Sequence, residues 1–309
     1  MCDLKQKAPS LLLQVVIGEF GWYNGWRRGD LMIEALVACV LRAHKTMRAH
    51  MVAVWFPALF SVALFVVFLL VAVILILPIV PDILTNPNPA ALASPAVLRA
   101  LFPRLLFLLA LAIPLTVASD AGALYIQAQA VKGQPVDTGY FFLGIRKLSW
   151  RLVAGRAIEI LLYLLLFTPL LVSMVMRVMR LTGPEGNLLL APEEPIFRAF
   201  MDLLPLALLS GLMYIAVGVL MSMWSRVLAL RELPLARALI AGILVARAHF
   251  LAILLMFIAQ WVLSTALQRL LGQEALGSLI GIGLGYILRV YVGMTLMHLY
   301  ELRTAAVKQ

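Results

Sequence analysis

The chain has 309 residues, 63% of them hydrophobic and 13% charged, with a formal net charge of +10 and a mean hydropathy of +1.01. A soluble domain carries roughly 25% charged and 45–50% apolar residues, so this composition excludes an ordinary globular core and points to a lipid-facing surface. The basic residues flank apolar stretches, which assigns the excess charge to membrane sidedness and anionic lipid headgroups and excludes nucleic acid as a partner.

In chain order, residues 1–26 read as an N-terminal cytoplasmic or interfacial segment, in which LLLQVVIGEF (11–20) is too short to cross a bilayer. Leu36-Val37-Ala38-Cys39 has the letters of a lipoprotein cleavage site and Arg27-Arg28 those of a twin-arginine signal, but the apolar run that either needs is missing. The remainder, 27–309, reads as one transmembrane domain. Apolar stretches near 51–80, 104–128, 157–179, 203–225, 250–268 and 275–300 each approach the 20 or so residues that a spanning helix needs. The turn formers PDILTNPNP (81–89) and LTGPEGN (181–187) separate spans one from two and three from four. Arg42, Lys45 and Arg48 precede the first span; Arg146, Lys147, Arg151 and Arg156 precede the third; Arg226, Arg231, Arg237 and Arg247 precede the fifth. The opposite loops hold fewer cations, so the charge bias predicts both termini in the cytoplasm and a multi-pass protein of the bacterial inner membrane.

An internal repeat follows from the same pass. AVKGQPVDTGYFFLGIRKLSWR (130–151) and ALRELPLARALIAGILVARAHF (229–250) share a proline, a basic apolar-rich stretch and then a span, and RRGDLMIEALVACVLRAHKTMRAH (27–50) has the same build. Gly122, Gly218 and Gly293 each precede an aromatic at the end of an even span, Tyr125, Trp224 and Tyr300. The expectation is an all-α protein of three units, at 27–130, 131–229 and 230–309, each an amphipathic cytoplasmic helix followed by a hairpin of two spans. The amphipathic helices are expected flat near 31–48, 137–150 and 235–248 around a pseudo-threefold axis. Arg42, Lys45, Arg48, Arg146, Lys147, Arg151 and Arg247 then face headgroups or a docked cytoplasmic partner.

Gly29-Asp30-Leu31 with Glu34-Ala35, Gly133-Gln134-Pro135 after the second span, and the closing Tyr300-Glu301-Leu302-Arg303 carry a resemblance. On these motifs the chain resembles the six-span membrane domain of bacterial glycerophosphodiester phosphodiesterases, over nearly all of its length after residue 27. Glu301 stands where that family often has aspartate. The resemblance implies an architecture and a membrane. It does not imply the hydrolase activity, because no stretch has room for the catalytic barrel.

No catalytic constellation emerges. Ser210-Gly211 in the fourth span and His298 in the sixth resemble the serine and histidine of rhomboid proteases. Leu208 occupies the place of an expected glycine, however, and the two residues lie towards opposite membrane faces. His44, His50, His249 and His298 have no ligand spacing, and Cys2 and Cys39 are far apart, so no metal or other cofactor is expected. GIGLG (281–285) follows no strand and reads as helix packing. Glu34-Ala35-Leu36 only begins like a permease coupling motif.

Ionisable residues inside spans remain. Glu159 lies just inside the third span beside Arg156. Gly277, Gly281, Gly285, Arg289 and Gly293 recur every fourth residue and form one row on the sixth helix, which predicts a face turned inward for close helix packing. A lone mid-helix arginine costs about 2.5–3.5 kcal/mol on insertion scales, so it needs a partner. Asp120 is the deep acid of another span, offset by about two residues, or roughly 3 Å, if Gly122 and Gly293 are equivalent. The expectation is an Asp120–Arg289 ion pair between spans two and six, serving as a structural clasp or a gate. The function expected is a non-catalytic scaffold, anchor or accessory subunit with a cytoplasmic or membrane protein partner; the alternative is a carrier for a small solute, lipid or proton that uses the buried Asp120–Arg289 pair.

Overall fold

The computed structural model of the protein describes residues 29–79, 95–182, 193–271 and 275–306. The segment 1–26, with Cys2 and the stretch 11–20, lies outside them, as do the loop 81–89 and residues 183–187 of the second turn-rich loop. Among the described residues every regular element is helical. In chain order they are α1 (Gly29–Ala49), α2 (Val52–Ile76), a 3-10 turn (Leu77–Ile79), α3 (Pro95–Val131), α4 (Thr138–Thr182), α5 (Glu193–Met221), α6 (Trp224–Arg231), α7 (Leu235–Ala248), α8 (Phe250–Leu271) and α9 (Ala275–Ala306). Five segments are long and apolar enough to cross a membrane by length and composition: Val52–Leu75, Leu101–Val131, Thr138–Ser173, Leu204–Arg231 and Phe250–Leu271. They make this a multi-pass helical protein.

The prolines at 57, 103, 114, 169 and 205 all lie inside helices. None of them ends its helix, although each removes a backbone donor. The breaks fall elsewhere. α1 passes to α2 at His50-Met51, and α7 passes to α8 at His249. Both breaks end the same tripeptide, Arg48-Ala49-His50 and Arg247-Ala248-His249.

The second unit differs from the expectation of a separate flat helix at 137–150. α4 runs unbroken for 45 residues from Thr138, about 67 Å at 1.5 Å per residue. Trp150 stands where the aligned third unit has His249, and the helix continues through it. Gly155, the one weak helix former just beyond, is retained as a contact point for Trp224.

Burial is concentrated at one end of the bundle. Trp224, Val227, Leu228 and Leu230 on α6 pack with Tyr125, Leu148, Leu152, Ala238, Ala246, Ile253, Leu296, Leu299 and Tyr300. A second cluster joins Ala43, Ala53, Val54, Ile126, Phe141 and Met294. Phe60 and Phe141 meet at 4.7 Å between centroids, and Phe56 and Phe141 at 5.2 Å, both edge to face. Towards the other end Leu105, Phe107, Leu161, Leu165, Leu208, Leu212 and Trp261 are exposed, the pattern of side chains that meet lipid rather than protein.

Glycine sets how closely the helices approach at the buried end. A Cβ at Gly144 of α4 would meet Tyr125 and the Ala121 carbonyl of α3, and one at Gly122 would lie 2.6 Å from the Phe141 ring. Trp224 is held on two sides, with its indole against Gly155 and its backbone against Gly242 of α7. The residue after α6, Glu232, adopts φ 52° and ψ 29°. A left-handed glutamate is unfavourable unless held. Here the Tyr125 hydroxyl donates to its Oε1 at 3.0 Å, the Lys147 ammonium to its Oε2 at 3.3 Å, and Arg151 to its carbonyl at 3.3 Å.

Candidate functional site: a charged cavity at a broken helix

The fourth span is discontinuous. α5 stops at Met221, Ser222 and Met223 form the break, and α6 begins at Trp224. The Ser222 hydroxyl turns back to the Val219 carbonyl at 2.7 Å, and the Ser222 carbonyl accepts from the Arg226 guanidinium. These contacts satisfy polar groups at the break, which lies among buried residues.

A cavity of about 540 Å³ lies there. α3 contributes Asp120 and Gln127, and α4 contributes Arg156 and Glu159. The broken span contributes Gly218, Ser222, Ser225 and Arg226; α8 contributes Gln260 and Ser264; α9 contributes Tyr286, Arg289 and Gly293. Helices from all three units of the expected repeat therefore meet at one polar volume. The Asp120 and Arg156 side chains keep 58% and 48% of their surface accessible, so the cavity communicates with the outside of the protein.

The ion pairs at the cavity centre on Arg156. Its Nη1 is 2.7 Å from Glu159 and its Nη2 is 3.9 Å from Asp120. The contact expected between Asp120 and Arg289 is not among the ion pairs within 4 Å of the described residues. Arg289 lines the same cavity and faces Asp120 electrostatically, while Arg156 takes the direct contact. The cause is the continuity of α4, which carries Arg156 alongside α3 at the level of Asp120. Arg156 sits among the basic residues that precede the third span, and from sequence it read as a topology signal and as the neighbour of Glu159, which it does contact.

The glycine row also differs from the expectation. A Cβ at Gly285 would meet nothing within 4 Å, and one at Gly281 would meet only side-chain atoms of Leu271 and Gln268 at 3.8 and 3.9 Å. Gly293 approaches Gln127 Oε1 at 3.4 Å and Arg226 Nε at 3.9 Å. This face of α9 therefore borders side chains and the cavity rather than a neighbouring backbone. The surroundings of Gly277 lie outside the described residues.

Arg42, Lys45, Arg48, Arg146, Lys147, Arg151 and Arg247 are all exposed. Lys147 and Arg151 are in addition engaged with Glu232, so part of this basic set fastens α4 to the end of α6. Of the residues weighed for catalysis, Ser210 donates to the Leu206 carbonyl at 2.8 Å and His298 Nε2 lies 3.0 Å from Thr46 Oγ1. Sequence reasoning missed Gln127, Ser222, Ser225, Arg226, Gln260, Ser264 and Tyr286. A helical-wheel plot of polar residues within the spans offered a signal for most of them, but the break at Ser222 had none.

No protein-family model matches the chain, and no curated protein and no solved structure matches it.

Proposed function

We propose that this protein is a carrier-type membrane protein in which the charged cavity handles a small solute, a lipid or a proton on its way across the bilayer. The observation that carries the proposal is the coincidence of the cavity with the break at Ser222-Met223. Carriers place their sites at discontinuous helices, where freed backbone groups and polar side chains line a cavity at membrane depth. A scaffold needs neither feature. The cavity is non-catalytic in this reading.

The topology proposed is six crossings, the sixth being α9, whose 32 residues run beside α8. Both termini are cytoplasmic, at the inner membrane of a bacterium, in keeping with the basic residues at the buried end. The three-unit repeat is supported by the paired Arg-Ala-His breaks and by the burial of Tyr125, Trp224 and Tyr300 at corresponding places. In the first and third units α1 and α7 are the interfacial amphipathic helices. The resemblance to the six-span domain of glycerophosphodiester phosphodiesterases enters as architecture alone.

Two measurements test this. Reporter fusions after Gly186 and after Pro135 should land on opposite faces, the former outside, and the same face for both overturns the topology. Purified protein in proteoliposomes should carry flux of protons, phosphate or labelled phospholipid, falling to the level of empty vesicles in Asp120→Asn. A stoichiometric cytoplasmic partner recovered with a protein that supports no flux favours the scaffold reading instead.

A further inference from the structure

We infer that the cavity's occupant is an oxyanion of the phosphate type, gripped between Arg226 and Arg289. The inference rests on the carrier reading for its purpose but not for its chemistry. Three guanidinium groups, on Arg156, Arg226 and Arg289, face two carboxylates, on Asp120 and Glu159. Both carboxylates have their ion pair within 4 Å with Arg156, Glu159 at 2.7 Å and Asp120 at the longer 3.9 Å, and the cavity's charged groups together carry one positive charge in excess. That leaves two positive side chains without a matching acid at contact distance among the described residues.

Their geometry brings them to one place. Arg226 reaches across from the broken span to α9, where its Nε comes within 3.9 Å of the position a Gly293 Cβ would take. Gly293 stands one helical turn beyond Arg289 on the same face. Arg226 therefore lies against the row of α9 that carries Arg289. Arg226 Nε is shielded from the outside and has no hydrogen-bond partner, a costly state for a buried donor. Arg289 is exposed to the cavity and makes no hydrogen bond or ion pair within 4 Å among the described residues.

The neutral groups around them, on Gln127, Ser225 and Tyr286, all carry donors. A cation would meet like charge here. A planar guanidinium fork suits phosphate oxygens, which accept two parallel hydrogen bonds from one arginine. The phosphate can belong to a lipid headgroup entering from the bilayer or to a soluble phosphate entering from water.

Direct binding tests this without flux. Native mass spectrometry of the purified protein reads retention of phosphatidylglycerol against phosphatidylcholine. Calorimetric titration of the protein in phosphatidylcholine nanodiscs reads inorganic phosphate. One of the two probes should bind the wild type, and Arg289→Gln and Arg226→Gln should each weaken it by at least about tenfold. Arg289→Lys should retain part of the binding, and Arg237→Gln, exposed and outside the cavity, all of it. Retained phosphatidylglycerol identifies the lipid source and saturable phosphate the soluble one, and either supports the inference. If Arg226→Gln does not fold, Arg289→Gln decides alone, since that side chain is exposed and makes no hydrogen bond or ion pair among the described residues. Unchanged binding in Arg289→Gln, no binding of either probe, or binding of choline that is lost in Asp120→Asn overturns it. Anion binding without flux leaves this inference standing and defeats the carrier reading, and flux without anion binding does the reverse.

Discussion

Replacing Gly242 by alanine should destabilise the protein by about 2 kcal/mol, although alanine is the better helix former. A Cβ at Gly242 would stand 2.5 Å from Trp224 Cα and 2.6 Å from Trp224 N. These are backbone atoms at the first turn of α6, and no rotamer change moves them away. Nor can Trp224 retreat, because its indole, 1% exposed, already presses on Gly155 of α4. Overpacking costs about 1–3 kcal/mol, and a backbone-to-backbone clash belongs at the upper end. The gain in helix propensity returns about 1 kcal/mol, which leaves a net loss of about 2 kcal/mol. Gly211→Ala is the matched control: that helical glycine has nothing within 4 Å, so only the propensity gain, about 0.5–1 kcal/mol, remains. The assay is the monodisperse fraction surviving a temperature series in one detergent, with fluorescence-detected size exclusion. The order expected is Gly211→Ala, then wild type, then Gly242→Ala. A Gly242→Ala protein that melts with or above the wild type refutes the argument that backbone contact at Trp224 fixes the packing of α6 and α7.

Asp120 should couple more strongly to Arg156 than to Arg289 in double-mutant cycles of melting free energy. About 1 kcal/mol or less is expected for the first pair, because both side chains are half exposed, and equal coupling counts against the geometry. At Glu232 burial pushes the carboxyl up, but hydrogen bonds from Tyr125 and Lys147 outweigh it and hold the group below its ordinary 4.5. Its contribution is then complete above that value and is lost as pH falls below it, so wild-type stability should drop more steeply there than that of Glu232→Gln. Burial, then the charge of Arg303, lowers His249 from 6.5 to about 4. Folded His249 stays neutral while the unfolded chain takes up the proton, so stability should decline as pH falls from 6.5 towards 4, with a shallower slope in His249→Gln. Burial pushes the Cys39 thiol up to about 11, with the charge of Arg42 opposing. In a Cys2→Ser background iodoacetamide at pH 8 should label Cys39 only after denaturation, and labelling of the folded protein contradicts its burial.

The helices were legible because composition and span length dictate them. An apolar run such as Val52–Leu75 has one stable answer in lipid, since every backbone group must pair within the segment. Breaks were less legible. Prolines are the usual signal, yet Pro114 and Pro205 sit inside continuous helices, while the breaks fall at His50-Met51, Ser222-Met223 and His249. Those breaks depend on what the freed groups meet in three dimensions, such as the Arg226 guanidinium on the Ser222 carbonyl, and local propensity carries no trace of it. The same holds for α4, where neither residue type nor periodicity separates a flat helix that turns into a span from one long rod.

At the site, the convergence of Asp120 and Arg289 on one cavity was readable and the direct contact of Asp120 with Arg156 was not. Asp120 and Arg289 stand out because each interrupts an apolar run, and both do line the cavity. Pairing them assumed that every other charge near a span end faces water. Arg156 and Arg226 break that assumption. Both occur in basic clusters of the sequence, and both line the cavity, one in contact with two acids and the other reaching across to Gly293. A basic residue near the end of an apolar run can thus line the cavity as well as add to the charge bias of the sequence, because its side chain is long. The positive-inside pattern accounts for where these arginines occur along the chain. It does not account for three guanidinium groups where two carboxylates balance only two, and that surplus of one positive charge is the part of the charge pattern that points to a ligand.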